Sequence, residues 1–147
     1  PAFVALVRFL KSWVVVCRKP VMSISPPTEP RELEGIMADE SLEPEAVGTH
    51  IMRHAYVTAR LRILYAALTA EGYRKSRGAY PARLEGLAPA EHIADPFSNG
   101  ALIYRGSGSR YTLYSVGPNG VDDGGAPYTE SRMRPGQTGD LPLKATF

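Results

Sequence analysis

The sequence predicts an α+β domain: a long N-terminal helix packed on a small antiparallel sheet, with a loop-rich C-terminal region. Three observations carry this. Positions 50–71 contain neither Pro nor Gly and place apolar residues at helical spacing. From Asp95 onward two short runs alternate with period two and are joined by Gly106-Ser-Gly-Ser109, a hairpin signature. After Gly125 the chain is rich in Pro, Gly and Arg, which favours irregular structure. A helix set apart from antiparallel strands is the α+β pattern.

Length and composition limit the rest. A chain of 147 residues fits one domain. We divide it into an N-terminal segment and linker over 1–48 and a compact domain over 49–147. The net charge of +2 gives no case for a nucleic-acid surface. Cys17 is the sole cysteine, so an intramolecular disulfide and a Cys-based zinc site are excluded. The first residue is Pro rather than Met, and the chain reads as a fragment or processed product.

Residues 3–17 are apolar but carry Arg8 and Lys11, and the run is shorter than the roughly 20 residues of a spanning helix. Three readings stand: a core or partner-packing segment, the end of an upstream domain, or a membrane-interface segment anchored by Trp13. The β-branched 14–16 suit a strand. Residues 20–30 hold Pro20, Pro26, Pro27 and Pro30 and read as a linker. Residues 29–45 are acidic and read as a solvated connector, with a short helix over 31–38 as the alternative.

Within the helix, Thr49 is the expected N-cap. Val57, Leu61, Leu64 and Leu68 form one large apolar stripe, which we expect against the sheet. Met52, Tyr56, Ala59, Ile63, Ala66, Ala67 and Ala70 form a second, about 150° away. Its small residues would admit another helix, from this chain or a partner, unless alanine stands there only as a good helix former. Gly72 and the residues to Gly78 should end the helix, with Arg74, Lys75 and Arg77 complementing its C-terminal dipole. Pro81 should open a short helical turn with Leu84 and Leu87 pointing inward, closed by Pro89.

Asp95-Pro-Phe-Ser-Asn-Gly100 is a turn in which Asp95 accepts backbone N–H bonds. Strands are expected over 101–105 and 110–116. In the second, Tyr111, Leu113 and Ser115 face one side and Thr112, Tyr114 and Val116 the other. A further short strand is conceivable over 128–133.

The second strand runs straight into Gly117-Pro-Asn-Gly120 and then Asp122 and Asp123. A turn that gathers carbonyls, an Asn side chain and Asp side chains suits a hard cation such as Ca²⁺. The alternative is an Asx-type turn in which Asp122 and Asp123 accept backbone N–H bonds without metal. EF-hand spacing is absent. An enzyme can be assembled on paper from His92, Asp95 and Ser98, or from Asp122 and Asp123 with a divalent metal. His50 and His54 have metal-compatible i, i+4 spacing, though no third ligand is evident. No Gly-x-Ser-x-Gly, His-Glu-x-x-His or phosphate-cradling loop supports catalysis, and the domain is expected to be non-enzymatic.

A long helix ending in Glu71-Gly-Tyr-Arg-Lys-Ser-Arg-Gly-Ala-Tyr-Pro81, then Leu84 and Leu87, Asp95-Pro-Phe97, Leu113-Tyr-Ser-Val-Gly-Pro-Asn-Gly120 and Asp122-Asp-Gly-Gly125 resembles the globular domain of the major pseudopilin of type II secretion systems. The resemblance covers roughly residues 50–125. It implies a long helix on a small antiparallel sheet, a calcium ion in the loop after the last long strand, and a structural role without catalytic residues. Such subunits assemble through their helices into a periplasmic fibre that helps move folded proteins across the outer membrane.

Carried over position by position, the resemblance implies ligands at Val116 and Val121 through carbonyls and at Asn119, Asp122 and Asp123 through side chains. Asn119 stands where the family has an Asp, and the loop from Asn119 to Asp122 is shorter than usual. Both departures weaken the expected shell. The family's cleavage site and apolar fibre-forming helix have no counterpart here. Either they lie outside this chain, or the domain is a binding module reused in a larger bacterial protein unconnected with secretion; the Pro-rich linker and the initial Pro favour reuse. The resemblance further implies an extracytoplasmic location and protein partners or self-association through helix 50–71, without nucleic acid or small-molecule substrate. Membrane association would come only through sequence outside this chain or through residues 3–17.

Overall fold

The computed structural model describes residues 44–129 and 136–143, with side chains from 48 onward in the leading helix. The expectations for 3–17, 20–30 and 31–38, and most of that for 128–133, lie outside the described residues. The architecture is α+β: helix α1 (Pro44–Arg77), helix α2 (Ala90–Ile93), and strands β1 (Ile103–Ser107), β2 (Arg110–Ser115) and β3 (Leu141–Pro142), which form an antiparallel sheet in the order β1-β2-β3.

Helix α1 is longer than expected at both ends. It begins at Pro44, a residue suited to a first turn, so Thr49 lies inside it and is not its N-cap. It continues through Gly72 to Arg77. Glycine lowers helix propensity by only about 1 kcal/mol, which the surrounding turns outweigh. Termination falls to Gly78, at φ 81°, whose N–H donates to the Arg74 carbonyl at 2.7 Å. Left-handed backbone at that position is the usual glycine cap.

The two faces of α1 are exchanged relative to expectation. Met52, Ala55, Ala59, Ile63, Ala66, Ala67 and Ala70 are buried against the sheet and its loops. The stripe expected there is in solvent: Val57 is 49% exposed, Leu61 63%, Leu64 43% and Leu68 54%. Side-chain volume explains the exchange. The sheet and loops supply the bulk, through Phe97, Leu102, Leu113 and Leu141. A helix presenting alanine can settle close to such a surface and fill the space to native density. Two arginines fix its edges: Arg60 donates to the Pro142 carbonyl at 2.6 Å, and Arg62 to the Ala94 carbonyl at 2.8 Å.

Pro81 opens no helical turn. Residues 81–89 form bends and bridges; Leu84 is buried while Leu87 is 42% exposed. The helical turn follows Pro89 instead, as α2. β1 and β2 pair in register from Ile103–Tyr114 to Ser107–Arg110, which leaves a two-residue loop at Gly108 and Ser109. The two faces of β2 behave as alternation predicts only at its start. Leu113, Tyr114 and Ser115 are all buried, because the loop carrying Gly125 covers the Tyr114 face. β3, which the sequence does not announce, pairs Leu141 with Ser115 and Pro142 with Tyr114.

Candidate functional site

β2 delivers its chain into a one-turn 3-10 helix, Gly117–Asn119. Gly117 sits at φ 67°, and a Cβ there would overlap the Gly139 carbonyl oxygen, so the turn needs glycine twice over. The close approach brings residues 139–140 against the loop of Asp122 and Asp123. A third carboxylate, Asp140, thereby joins the pair.

Each carboxylate has partners. Asp122 accepts from the Tyr114 hydroxyl at 2.7 Å and the Gly124 N–H at 2.9 Å, and pairs with Arg105 at 3.3 Å. Asp123 accepts from the Asn119 amide at 2.8 Å and the Gly139 N–H at 2.7 Å. Asp140, fully buried, accepts from the Gly125 N–H at 2.6 Å and the Asp123 N–H at 3.3 Å. The Asn119 side-chain oxygen Oδ1 accepts the Val121 N–H at 3.1 Å. Loop and return segment are thus laced by side chain to backbone bonds, as in an extended Asx network.

Electrostatics divides the three acids. The Tyr114 hydroxyl bond, then the Gly124 N–H and the Arg105 charge, hold the Asp122 carboxyl below its ordinary value. Burial pushes Asp140 up, and the charges of Asp123 and Asp122 push it the same way. Tyr114 is raised to about 12, by burial first and by the Asp122 bond second.

The residues expected to hold an ion are therefore partly gathered. Asn119, Asp122 and Asp123 line one loop, with Asp140 added. The Val116 N–H donates to Asp95 and its side chain is buried, while Val121 is 58% exposed at the loop tip. All available donors are oxygens, which suits Ca²⁺ and not a soft metal. Binding would require the carboxylates to exchange internal N–H bonds for the ion. Among the described residues no group of three or more His, Cys, Asp or Glu side chains is drawn together as a metal cluster. Asp140 escaped sequence reasoning because it stands 17 positions after Asp123 with no motif linking them.

The residues of the paper enzyme are placed apart in role. Asp95 is 3% exposed; its Oδ1 accepts from the Phe97 N–H and the Ser115 hydroxyl, and its Oδ2 from the Val116 N–H, each at 2.9 Å. Burial raises its carboxyl despite these donors. The Ser98 hydroxyl accepts the Gly100 N–H, and exposed His92 packs edge-on against Tyr65. His50 and His54 are both exposed.

A separate open cleft of about 400 Å³ is lined by Tyr80, Tyr111, Tyr114, Arg110 and Glu71. The Glu71 carboxylate there accepts from Tyr80 at 2.6 Å and Arg74 at 3.0 Å, so it braces the end of α1. No helix among the described residues is long and apolar enough to cross a membrane.

No family model matches the chain, and neither curated proteins nor solved structures give a significant match.

Proposed function

We propose that this domain is a non-enzymatic structural and interaction module of the pseudopilin-like kind, acting in secretion or cell-envelope assembly outside the cytoplasm. Its helix α1 is the contact surface, and the loop after its last long strand is stabilised by Ca²⁺. The observation that most supports this is the division of α1. One face is seated on the sheet, while Val57, Leu61, Leu64 and Leu68 stay exposed along the other. A row of large apolar side chains left in water marks a place where protein docks.

Asp122, Asp123 and Asn119 would hold the ion through side-chain oxygens, and Val116 and Val121 through carbonyls, with Asp140 in support. The ion would supply positive charge beside Asp122, Asp123 and Asp140, of which Asp122 pairs with Arg105. Its role would be to tie the loop to the 139–140 return segment.

Thermal unfolding in millimolar CaCl₂ against EGTA tests this. Ligand at about 100 times its dissociation constant stabilises by roughly 2.7 kcal/mol. Each kcal/mol moves the midpoint of a domain this size by several degrees, so a rise of about 10 °C is expected. Asp122→Asn and Asp123→Asn should each remove it. An identical midpoint in both buffers would reduce the loop to a metal-free turn and sink the ion half of the proposal.

A further inference from the structure

β2 is a central strand only at its far end. β1 pairs with it from Arg110 to Tyr114, whereas β3 pairs with Tyr114 and Ser115 alone. The Leu143 N–H adds one bond, to the Leu113 carbonyl at 3.1 Å. In an antiparallel ladder the N–H and C=O of successive residues point to opposite neighbours. The Leu113 carbonyl points to the β3 side, so the polar groups of Ser115 and Tyr111 do too. Pro142 fits this phase. It stands opposite Tyr114, whose groups point to β1, so its missing N–H leaves no gap in the ladder. Tyr111 thus offers an N–H and a carbonyl to a neighbouring strand, and among the described residues nothing takes them.

This open edge lies along the cleft of about 400 Å³. Glu71 and Tyr80 line it on the Tyr111 face, Gly125 on the Tyr114 face, and Pro142 and Leu143 at one end. Tyr80 meets the Tyr111 ring edge-on at 4.7 Å, which makes that wall aromatic. On the opposite face Arg110 and Thr112 are exposed, and Arg110 forms no ion pair among the described residues. Glu71 is already held by Tyr80 and Arg74, so Arg110 is the charge of the cleft that remains to be answered.

The shape of the cleft selects an occupant. From Arg110 to Leu113 the edge runs about 10 Å, the length of three residues of extended chain. A second copy does not fit. Its own β2 edge is recessed in the same way, and two recessed edges cannot close to the roughly 4.8 Å of strand pairing. A single extended segment enters between the walls and reaches the free backbone groups.

We propose that the open edge of β2 binds an extended peptide of a partner protein by strand addition, antiparallel to β2, with an aromatic residue opposite Tyr111 and a carboxylate residue next, opposite Arg110. The first of these exchanges both backbone bonds with Tyr111 and lays its ring against the Tyr80–Tyr111 pair. The second points to the other face, where its carboxylate meets the Arg110 guanidinium. Main-chain bonds supply the affinity, and the two side chains the selectivity. This surface is separate from the exposed stripe of α1, and the inference does not rest on that contact.

Titration of the isotope-labelled full chain with the peptide acetyl-Thr-Val-Tyr-Glu-Thr-amide, followed by NMR, tests it. Strand addition should move the Tyr111 amide resonance downfield and slow its hydrogen exchange, because its N–H passes from water to a peptide carbonyl. Methylating the peptide's Tyr nitrogen removes the donor to the Tyr111 carbonyl and should weaken binding by about fivefold or more, with the protein untouched. Exchanging the peptide's Glu for Lys should weaken it about threefold, and Arg110→Glu should invert that preference. An unmoved Tyr111 amide at millimolar peptide would overturn the proposal, as would equal affinity for the methylated peptide. Binding seen only after deletion of residues 144–147 would overturn it too, by assigning the edge to the chain's own C-terminus. The calcium response is read separately, so this inference and the ion site fail independently.

Discussion

Tyr114 and Asp122 form a short side-chain pair at the loop. The tyrosine ring is buried and its hydroxyl donates at 2.7 Å to a carboxylate that remains near solvent. Asp122 is held below the ordinary 3.8 chiefly by this bond. A carboxyl lowered in the folded state contributes stability that is complete above its unfolded value and is lost as pH falls through its folded one. Tyr114→Phe should therefore raise the Asp122 pKa toward 3.8, read by carboxyl NMR titration. The mutant should also lose less stability than the parent on acidification from about pH 5 to pH 3. An unshifted titration would show that the hydroxyl is not what holds the charge. Asp140 runs the other way: raised by burial, its protonated form is favoured by the fold, and its contribution is lost as pH rises. At this scale the sequence was legible where neighbours act together. Asp122 and Asp123 announce a loop of backbone acceptors, whereas Asp140 reaches them only through the Gly117–Gly139 approach, a tertiary event no local pattern encodes.

Helix α1 shows at the scale of an element what periodicity does and does not carry. Its existence, length class and two apolar stripes are readable from spacing, because 3.6-residue geometry dictates which side chains align. Which stripe faces inward is not. Hydrophobicity ranks Leu above Ala, but a seam is decided by the volume its partner leaves, and here the sheet already carries the large side chains. The consequence can be measured by urea unfolding. Ala59→Leu and Ala66→Leu overfill the seam and should each destabilise by about 1–3 kcal/mol. Leu61→Gln, on the exposed face, should stay within about 0.5 kcal/mol of the parent. The reverse ranking would restore the leucine stripe to the core. β3 was hidden for a different reason: two residues are too few for any alternation to register.

At the scale of the whole molecule the fold closes around Asp95. Its carboxylate joins the 95–100 turn to the end of β2, 20 positions away, and Arg62 ties the adjacent Ala94 carbonyl to α1. The turn itself was visible in sequence as Asp-Pro-Phe, but its distant partners Ser115 and Val116 were not. Asp95→Ala would strand two buried N–H groups and a buried hydroxyl, at about 1–3 kcal/mol for each unmet group before relaxation. We expect a loss of about 3 kcal/mol in urea unfolding, with Asp95→Asn intermediate because one acceptor remains. A neutral Asp95→Ala would mean that water replaces the carboxylate.

Helix α1 is also much longer than any strand it rests on. Its 34 residues extend about 51 Å, while the longest strand, at six residues, extends about 20 Å. Buried side chains in the described part of α1 run from Met52 to Glu71, and the described residues before them, 48–51, are half-buried or exposed. Mechanically this is a compliant handle. Tension applied at the N-terminal end of α1 should unravel residues 48–51 before the seam and lengthen that stretch by about 8 Å, from roughly 1.5 to 3.4 Å per residue. Only then does load reach the alanine seam, where it acts along the helix axis and must shear the whole interface at once rather than peel it open.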